Sequence, residues 1–246
     1  MLDATVFGFL GGFAMVVGAF IGFRGHPTSG IVGRVMAFGA GTLVCAVTLE
    51  LTVEAFDESR GGVFVLGLLA GCGAYYLGDL IIERRLGRID IDAEPGDADA
   101  PGMGNALKVV LGSVLDGVPE SAAIGLSIAS GGTVSVALLV AVFVSNVPEG
   151  LMPSLDMEAA GLSRRRIYGM WLLLALVCTG ASIFGYLVLG GLPDPIDAFA
   201  VAFAAGAILT MLSMVFLVEA VQRAGRAVGI WTVLGYALAA LLTFLQ

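Results

Sequence analysis

Long apolar runs without charge constrain this chain more than any other feature. Residues 4–23 contain no Asp, Glu, Lys or Arg. As a helix they would cross a hydrocarbon core about 30 Å thick, at about 1.5 Å per residue. The run is longer than the apolar core of a signal peptide and follows Asp3 instead of a basic segment, so we predict that it is retained as a helix. Only 13% of all residues are charged, against about a quarter in soluble domains.

Charged residues and Gly/Pro clusters divide the chain into eight apolar segments. The fold class predicted is therefore all-α, a polytopic membrane protein in which residues 1–246 form one transmembrane domain. We expect residues 84–105, which are acidic and contain Pro95 and Pro101, to form a flexible cytoplasmic loop. The predicted spans are 3–23, 31–57, 62–83, 106–130, 133–155, 166–191, 195–222 and 226–246.

The basic residues predict the orientation of these spans. With eight spans, one side receives only Arg60, and the other receives the remaining eleven of the twelve basic residues. Loops rich in Lys and Arg stay in the cytoplasm, so both termini are predicted to be extracytoplasmic, in the plasma membrane. The eleven are Arg24, Arg34, Arg84, Arg85, Arg88, Lys108, Arg164, Arg165, Arg166, Arg223 and Arg226.

Two internal repeats indicate symmetry. Residues 37–55 (AFGAGTLVCAVTLELTVEA) align without gaps to residues 202–220 (AFAAGAILTMLSMVFLVEA), an offset of 165 with seven identities. The hexapeptide DGVPES at 116–121 also matches SNVPEG at 145–150. In each repeat the two copies fall on spans that cross in opposite directions, as in transporters built from inverted repeats. We therefore predict a 3+2+3 inverted-repeat arrangement, with spans four and five as the central pair.

The two Pro-Glu pairs combine features that are costly inside a membrane. Pro119 and Pro148 each remove a backbone donor, so we expect the helices to be interrupted there. Glu120 and Glu149 follow directly, and an ionised carboxylate at mid-bilayer costs about 3 kcal/mol or more. Two such acids on facing helices repel each other unless a cation or protons lie between them. The alternative is that the pairs only mark kinks, with their acids bonded to the backbone or to each other.

Nearby residues extend the candidate site. Asp116 lies four residues before Glu120, and Ser145 and Asn146 lie four and three before Glu149, so each shares a helix face with its glutamate. Together they would present three carboxylates, an amide and a hydroxyl. Such an oxygen-rich set suits Mn²⁺, Fe²⁺ or Zn²⁺ completed by water, or harder ions.

The segment LDGVPESAAIG at 115–125, followed by SNVPEGL at 145–151, resembles the ZIP (Zrt-, Irt-like) metal transporters. Eight spans with both ends outside fit this resemblance. It implies no enzyme but alternating-access transport of a divalent transition metal into the cytoplasm, with zinc as the first expectation and iron or manganese open. It also implies that Glu120 and Glu149 bridge the metal, and that Asn146 is a ligand of a second position.

The chain departs from the family pattern at four positions. Asp116 and Ser145 stand where the family has His and His or Gln, Gly117 replaces Asn, and Cys178 takes the place of a span-six glutamate. By the same resemblance, a secondary metal pathway would include Glu50 near the outer end of span two, where it gathers ions. Asp79, Cys178 and Glu219 are the further candidates for that pathway, and the resemblance implies that Asp79 assists release into the cytoplasm. For Glu219 the alternative is an interfacial residue that is solvated at its helix end.

Two other functions stay open. Asp79 and Asp116 are a conceivable pair for an intramembrane aspartyl-type enzyme, and the altered motifs are compatible with a ZIP-like protein whose metal site has decayed. The net charge of −8 argues against a nucleic-acid partner. The expected partners are the metal substrate and the lipid bilayer, and a homodimer is left open.

Overall fold

The computed structural model describes residues 1–58, 61–86, 102–129, 136–189 and 192–245. Within these ranges the chain is helical without strands, and eight helices are long and apolar enough to cross a membrane, which confirms the predicted fold class and number of spans. Five are uninterrupted α-helices: α1 (Leu2–Gly25), α3 (Gly62–Leu86), α4 (Gly102–Ala129), α5 (Val136–Ala159) and α8 (Ala227–Phe244).

The other three helices contain a π-helical turn. Helix α2 runs through Ser29–Ala46, the π turn Val47–Leu51 and Thr52–Glu58, and α6 is Arg164–Phe184 with the π turn Gly185–Leu189. Helix α7 comprises Asp194–Met211, the π turn Leu212–Phe216 and Leu217–Ala224. The π turns of α2 and α7 are 165 residues apart, the same offset as the sequence repeat. Because π turns are rare, their shared offset supports a structural relation between α2 and α7.

The prediction that the Pro-Glu pairs interrupt their helices is wrong. Helix α4 continues through Pro119, and α5 continues through both Pro148 and Pro153. A proline in a membrane helix costs one backbone hydrogen bond locally, and packing by neighbouring helices lets the helix continue on both sides. The irregular turns lie instead in α2, α6 and α7.

The loop predicted at 84–105 is longer than the segment between the observed helices, because a helix extends into it from each end. Helix α3 extends to Leu86 and α4 begins at Gly102, so residues 84–86 and 102–105 are helical. The remainder of that loop, 87–101, lies outside the described residues, as do Arg60, Arg88 and the first residues of predicted span five.

Helix α2 packs closely on α8, and α7 packs closely on α3, through similar glycine contacts. A Cβ at Gly41 of α2 would collide with the carbonyl oxygen of Thr232 of α8, and a Cβ at Gly206 of α7 would collide with that of Leu68 of α3. Gly41 and Gly206 are again 165 residues apart. Small residues let membrane helices approach closely, so α2–α8 and α3–α7 form two similar tight pairs.

Helix α4 contacts both members of the α3–α7 pair, and α5 contacts both members of the α2–α8 pair. Helix α5 packs on α1 and α2, and α4 packs on α6 and α7, whereas α3 and α8 bury only 17% of their spans and face outward. One apolar core joins α2, α4, α5 and α7. A second surrounds Trp171 of α6, whose Nε1 donates to Ser154 Oγ at 2.7 Å. The predicted site residues of α4 and α5 therefore lie between two packed cores.

Candidate cation site

Glu120 of α4 and Glu149 of α5 place four unpartnered carboxylate oxygens inside the bundle. Glu120 has no exposed surface, and all four oxygens are buried. None of the described residues donates a hydrogen bond to them. The two carboxylates interact electrostatically, so the structure brings the two predicted acids together. An ionised carboxylate is purely an acceptor, and these acids therefore offer oxygens that nothing around them satisfies.

Asn146 adds a fifth oxygen. Its Nδ2 donates to the carbonyl oxygen of Gly11 on α1 at 3.0 Å, which fixes the orientation of the amide. The Oδ1 atom is buried and has no hydrogen-bond partner among the described residues. Only one of the two N–H groups of this amide is used by Gly11, and the amide also lies close to Glu120, although no donor meets hydrogen-bond geometry at that carboxylate. Asn146 thus lies beside Glu120 and has a buried Oδ1 without a partner among the described residues.

Asp116 is held by a tyrosine that the sequence reasoning missed. The hydroxyl of Tyr75, on α3, donates to Asp116 Oδ1 at 2.6 Å. Tyr75 is 3% exposed, and Asp79 on the same helix lies within electrostatic range of both residues. A signal was present, because Tyr75 and Asp79 are four residues apart and share one face of α3.

Ser145 packs tightly against α2, and its hydroxyl is already hydrogen-bonded within α5. Its Oγ donates to the Val142 carbonyl at 3.0 Å within its own helix. Its backbone lies so close to α2 that a Cβ at Gly39 would be 2.9 Å from Ser145 Cα. The residue is fully buried. Its hydroxyl proton is thus already used inside α5.

Cys178 fills the space beside Gly117. A Cβ at position 117 would lie 2.9 Å from Cys178 Sγ. The thiol interacts with Ser121 and lies within electrostatic range of Glu120 and Glu149. The sulfur of α6 therefore occupies the place where a larger residue at position 117 would extend.

Glu219 and Arg223, near the C-terminal end of α7, extend the group of acids beyond the two glutamates. Glu219 lies within electrostatic range of Glu149, Asp116 and Asp156. Its Oε1 accepts two hydrogen bonds from Arg223, at 2.6 and 2.9 Å. The spacing of four residues between Glu219 and Arg223 was a signal for this ion pair. Glu219 is therefore connected to the central acids but is already neutralised by a cation.

Glu50 does not join this group. It lies on the π turn of α2, and its Oε1 accepts from Thr243 Oγ1, near the end of α8, at 2.9 Å. Its other oxygen is buried without a partner in the described part of the chain. The buried thiol of Cys45, five residues earlier on the same helix, lies within electrostatic range of Glu50.

In the part of the chain that the structure describes, no three His, Cys, Asp or Glu side chains lie close enough to form a preassembled metal cage. The candidate site consists instead of two carboxylates and one amide, with Asp116 directed toward Tyr75. Hard and borderline cations accept such oxygen sets when water supplies the remaining ligands. The arrangement can thus bind a cation or share protons.

Comparison of the chain with protein-family models and with curated proteins gives no match.

Proposed function

We propose that this protein carries a divalent transition-metal cation, of the zinc, iron or manganese class, across the membrane into the cytoplasm. The observation that carries the proposal is the set of four buried, unpartnered carboxylate oxygens of Glu120 and Glu149. A buried polar group that finds no partner inside a membrane-spanning bundle costs several kcal/mol. A divalent cation neutralises both acids at once and uses their oxygens as ligands.

A purely structural role accounts less well for these acids. Structural carboxylates inside membranes are normally paired with basic residues or backbone donors. The described acids of this chain include such pairs, for example Glu219 with Arg223. Glu120 and Glu149 have no comparable partner in the described ranges, and the Asn146 oxygen beside them has none either. An acceptor-only set of this kind favours a mobile positive ligand.

The proposed transport cycle is alternating access in a 3+2+3 inverted repeat. The common offset of 165 residues in the sequence repeat, the π turns of α2 and α7, and the Gly41 and Gly206 contacts supports the relation between the two outer triplets. Helices α4 and α5 are then the central pair. Substrate sites of inverted-repeat transporters lie at the repeat interface near the bilayer midplane. Rocking of one triplet against the other would open the site alternately to each side.

We propose that the site holds a single cation. The second position of a binuclear centre, as the family resemblance implies it, would need side chains at 117 and 178. Gly117 has none, and Cys178 Sγ lies in the space that a side chain there would need. The oxygen ligands of this cation would then belong to Glu120, Glu149 and Asn146. This departure from the resemblance favours a mononuclear site. We further propose that the protein lies in the plasma membrane with both termini extracytoplasmic, because the basic residues collect on one side of the predicted spans.

Uptake in proteoliposomes tests the proposal. The purified protein is reconstituted, and entry of Zn²⁺, Fe²⁺ and Mn²⁺ is followed for the wild type, Glu120→Gln and Glu149→Gln. We expect saturable uptake by the wild type and a loss of about tenfold or more in each variant, equivalent to about 1.4 kcal/mol. The matched control is Glu158→Gln, also on α5. Its carboxylate forms an exposed, solvent-screened ion pair with Arg164, so uptake by this variant should be unchanged.

Equal uptake by the wild type and both glutamate variants would refute the proposal. A wild type that takes up no ion and releases no heat on titration with Zn²⁺, Mn²⁺ or Fe²⁺ would indicate a decayed site. The electrostatic interaction of Asp79 with Asp116 favours one second candidate, an intramembrane aspartyl-type enzyme. Peptide cleavage that is lost in Asp79→Asn would support that candidate, and metal uptake that is retained in Asp79→Asn without any cleavage would argue against it.

A further inference from the structure

A cleft of about 650 Å³ lies between α4, α6 and α7. None of the described residues that line it has a polar side chain, and none belongs to the candidate cation site. Pro119 of α4 lines the cleft, whereas the next residue, Glu120, has no exposed surface. The same stretch of α4 thus contributes an apolar wall to the cleft and keeps its acid buried.

Close helix packing on either side keeps this cleft open. Helix α6 is fixed to α4, because a Cβ at Gly185 would collide with the carbonyl oxygen of Ala122. Helix α7 is fixed to α3 in the same way, because a Cβ at Gly71 would collide with the carbonyl oxygen of Phe203. Such glycine contacts hold membrane helices at close approach. Neither wall can therefore move across the gap without losing its own partner.

The length and depth of the cleft match one leaflet of a bilayer. Its walls lie within residues 118–126 of α4, 177–189 of α6 and 192–204 of α7. These stretches are about 12–18 Å long at about 1.5 Å per residue, and one leaflet contributes about 15 Å to a hydrocarbon core of about 30 Å. Pro119 lies at the middle of the span Lys108–Ala129, and Leu126 lies near its end. The cleft therefore runs along the helices from mid-membrane toward one surface.

We infer that an acyl chain of a membrane phospholipid occupies this cleft. The rim is continuous with the lipid-facing surface, since Val177, Phe184 and Ile196 line the cleft and are 39%, 52% and 50% exposed. Water finds no polar partner in such a space, and a void would deprive the walls of dispersion contacts. The chains of the adjacent leaflet have the required length and polarity. This site goes beyond the proposed transport and does not depend on a bound cation.

Fluorescence quenching by phospholipids with brominated acyl chains tests the inference, because bromine quenches tryptophan at short range. The chain has two tryptophans. Trp231→Phe removes the one that is 37% exposed and leaves Trp171, which has no exposed surface. In this background Phe203→Trp places a reporter in the wall of the cleft. In vesicles of brominated phosphatidylcholine, we expect the reporter to be quenched as strongly as Trp231 of the wild type, relative to vesicles without bromine.

Two substitutions on α6 separate a chain inside the cleft from general contact with lipid. A Cβ meets no atom within 4 Å at either Gly180 or Gly169, but of these two only Gly180 lines the cleft. Gly180→Phe should reduce the quenching of the reporter about twofold or more, because the added ring takes space that the chain needs. Gly169→Phe, the matched control, should leave the quenching unchanged. Phe199→Trp, on the same wall, is the second reporter if Phe203→Trp fails to fold.

Each other result overturns the inference. Quenching of the reporter by acrylamide but not by brominated lipid would show that water fills the cleft. No quenching by either would show that the cleft closes or that protein, such as a second copy of the chain, covers it. Quenching that Gly180→Phe and Gly169→Phe change equally, or not at all, would show only general exposure to lipid.

Discussion

At the residue scale, the environment of Gly117 links the site to the packing of α4 on α6. Gly117 and Cys178 share one small space, and Cys178 is fully buried. A methyl group at position 117 would come to 2.9 Å from the sulfur, which is closer than carbon and sulfur atoms normally pack. The two positions are therefore coupled, and a change at either one should depend on the other.

Gly117→Ala should destabilise the protein because the added methyl group overpacks this space. We expect a cost of about 1 kcal/mol, at the lower end for overpacking, because a single side-chain atom must move. In a Cys178→Ala background the same change should be neutral or stabilising by about 0.5 kcal/mol, the usual advantage of alanine over glycine in a helix. Unfolding in detergent micelles measures both values.

Gly112→Ala is the control on the same helix, since a Cβ there meets no atom within 4 Å. It should not destabilise the protein in either background. Purely additive effects of Gly117→Ala and Cys178→Ala would contradict the shared space, because contacting residues normally show a coupling energy.

At the element scale, the reciprocal glycine contacts determine how closely the helix pairs approach. Gly41 of α2 faces a backbone carbonyl of α8, and Gly206 of α7 faces one of α3. A backbone carbonyl in a packed helix cannot move aside as a side chain can. The two contacts should therefore respond in the same way to the same change.

Gly41→Ala and Gly206→Ala should each destabilise the protein by about 2–3 kcal/mol, at the upper end of overpacking costs. The controls are Gly229→Ala on α8 and Gly73→Ala on α3, where a Cβ meets nothing within 4 Å. Thermal unfolding in detergent provides the comparison. A large loss at one of the two glycines with none at the other would contradict their equivalence.

The sequence predicted the eight helices well because the bilayer imposes a simple rule of length and polarity. Runs such as residues 4–23 satisfy that rule without reference to their neighbours. The π turns of α2 and α7 could not be predicted, because they depend on how neighbouring helices pack. The expected breaks at Pro119 and Pro148 were wrong for the same reason, since packing maintains both helices.

The candidate site was predictable in part. Charge and proline pointed to Glu120 and Glu149, which are rare acids within apolar runs, and the structure places them together. Tyr75 was missed because an apolar span accommodates tyrosine for many reasons, and only its contact with Asp116 distinguishes it. The family resemblance placed Glu50 in the secondary metal pathway, and the structure shows that Glu50 Oε1 accepts a hydrogen bond from Thr243. Spacing along one helix thus predicted shared faces, whereas contacts between helices required the structure.

At the scale of the whole molecule, the orientation in the membrane is a separate prediction. Ser163 is exposed beside the basic residues that begin α6, and Pro193 is exposed at the start of α7. The positive-inside rule puts Ser163 in the cytoplasm and Pro193 outside. In a cysteine-free background, Pro193→Cys should react with an impermeant maleimide on intact cells. Ser163→Cys should react only after permeabilisation, and the reverse pattern would contradict the proposed direction of transport.

The proposed function requires a cation bound between α4 and α5. Crystals of the protein soaked with Zn²⁺ or Mn²⁺ and measured at the absorption edge of the metal test this most directly. We predict one anomalous peak within about 2.0–2.3 Å of carboxylate oxygens from both Glu120 and Glu149. Anomalous scattering confined to the surface, with both carboxylates bonded to protein donors or to each other, would contradict the proposal.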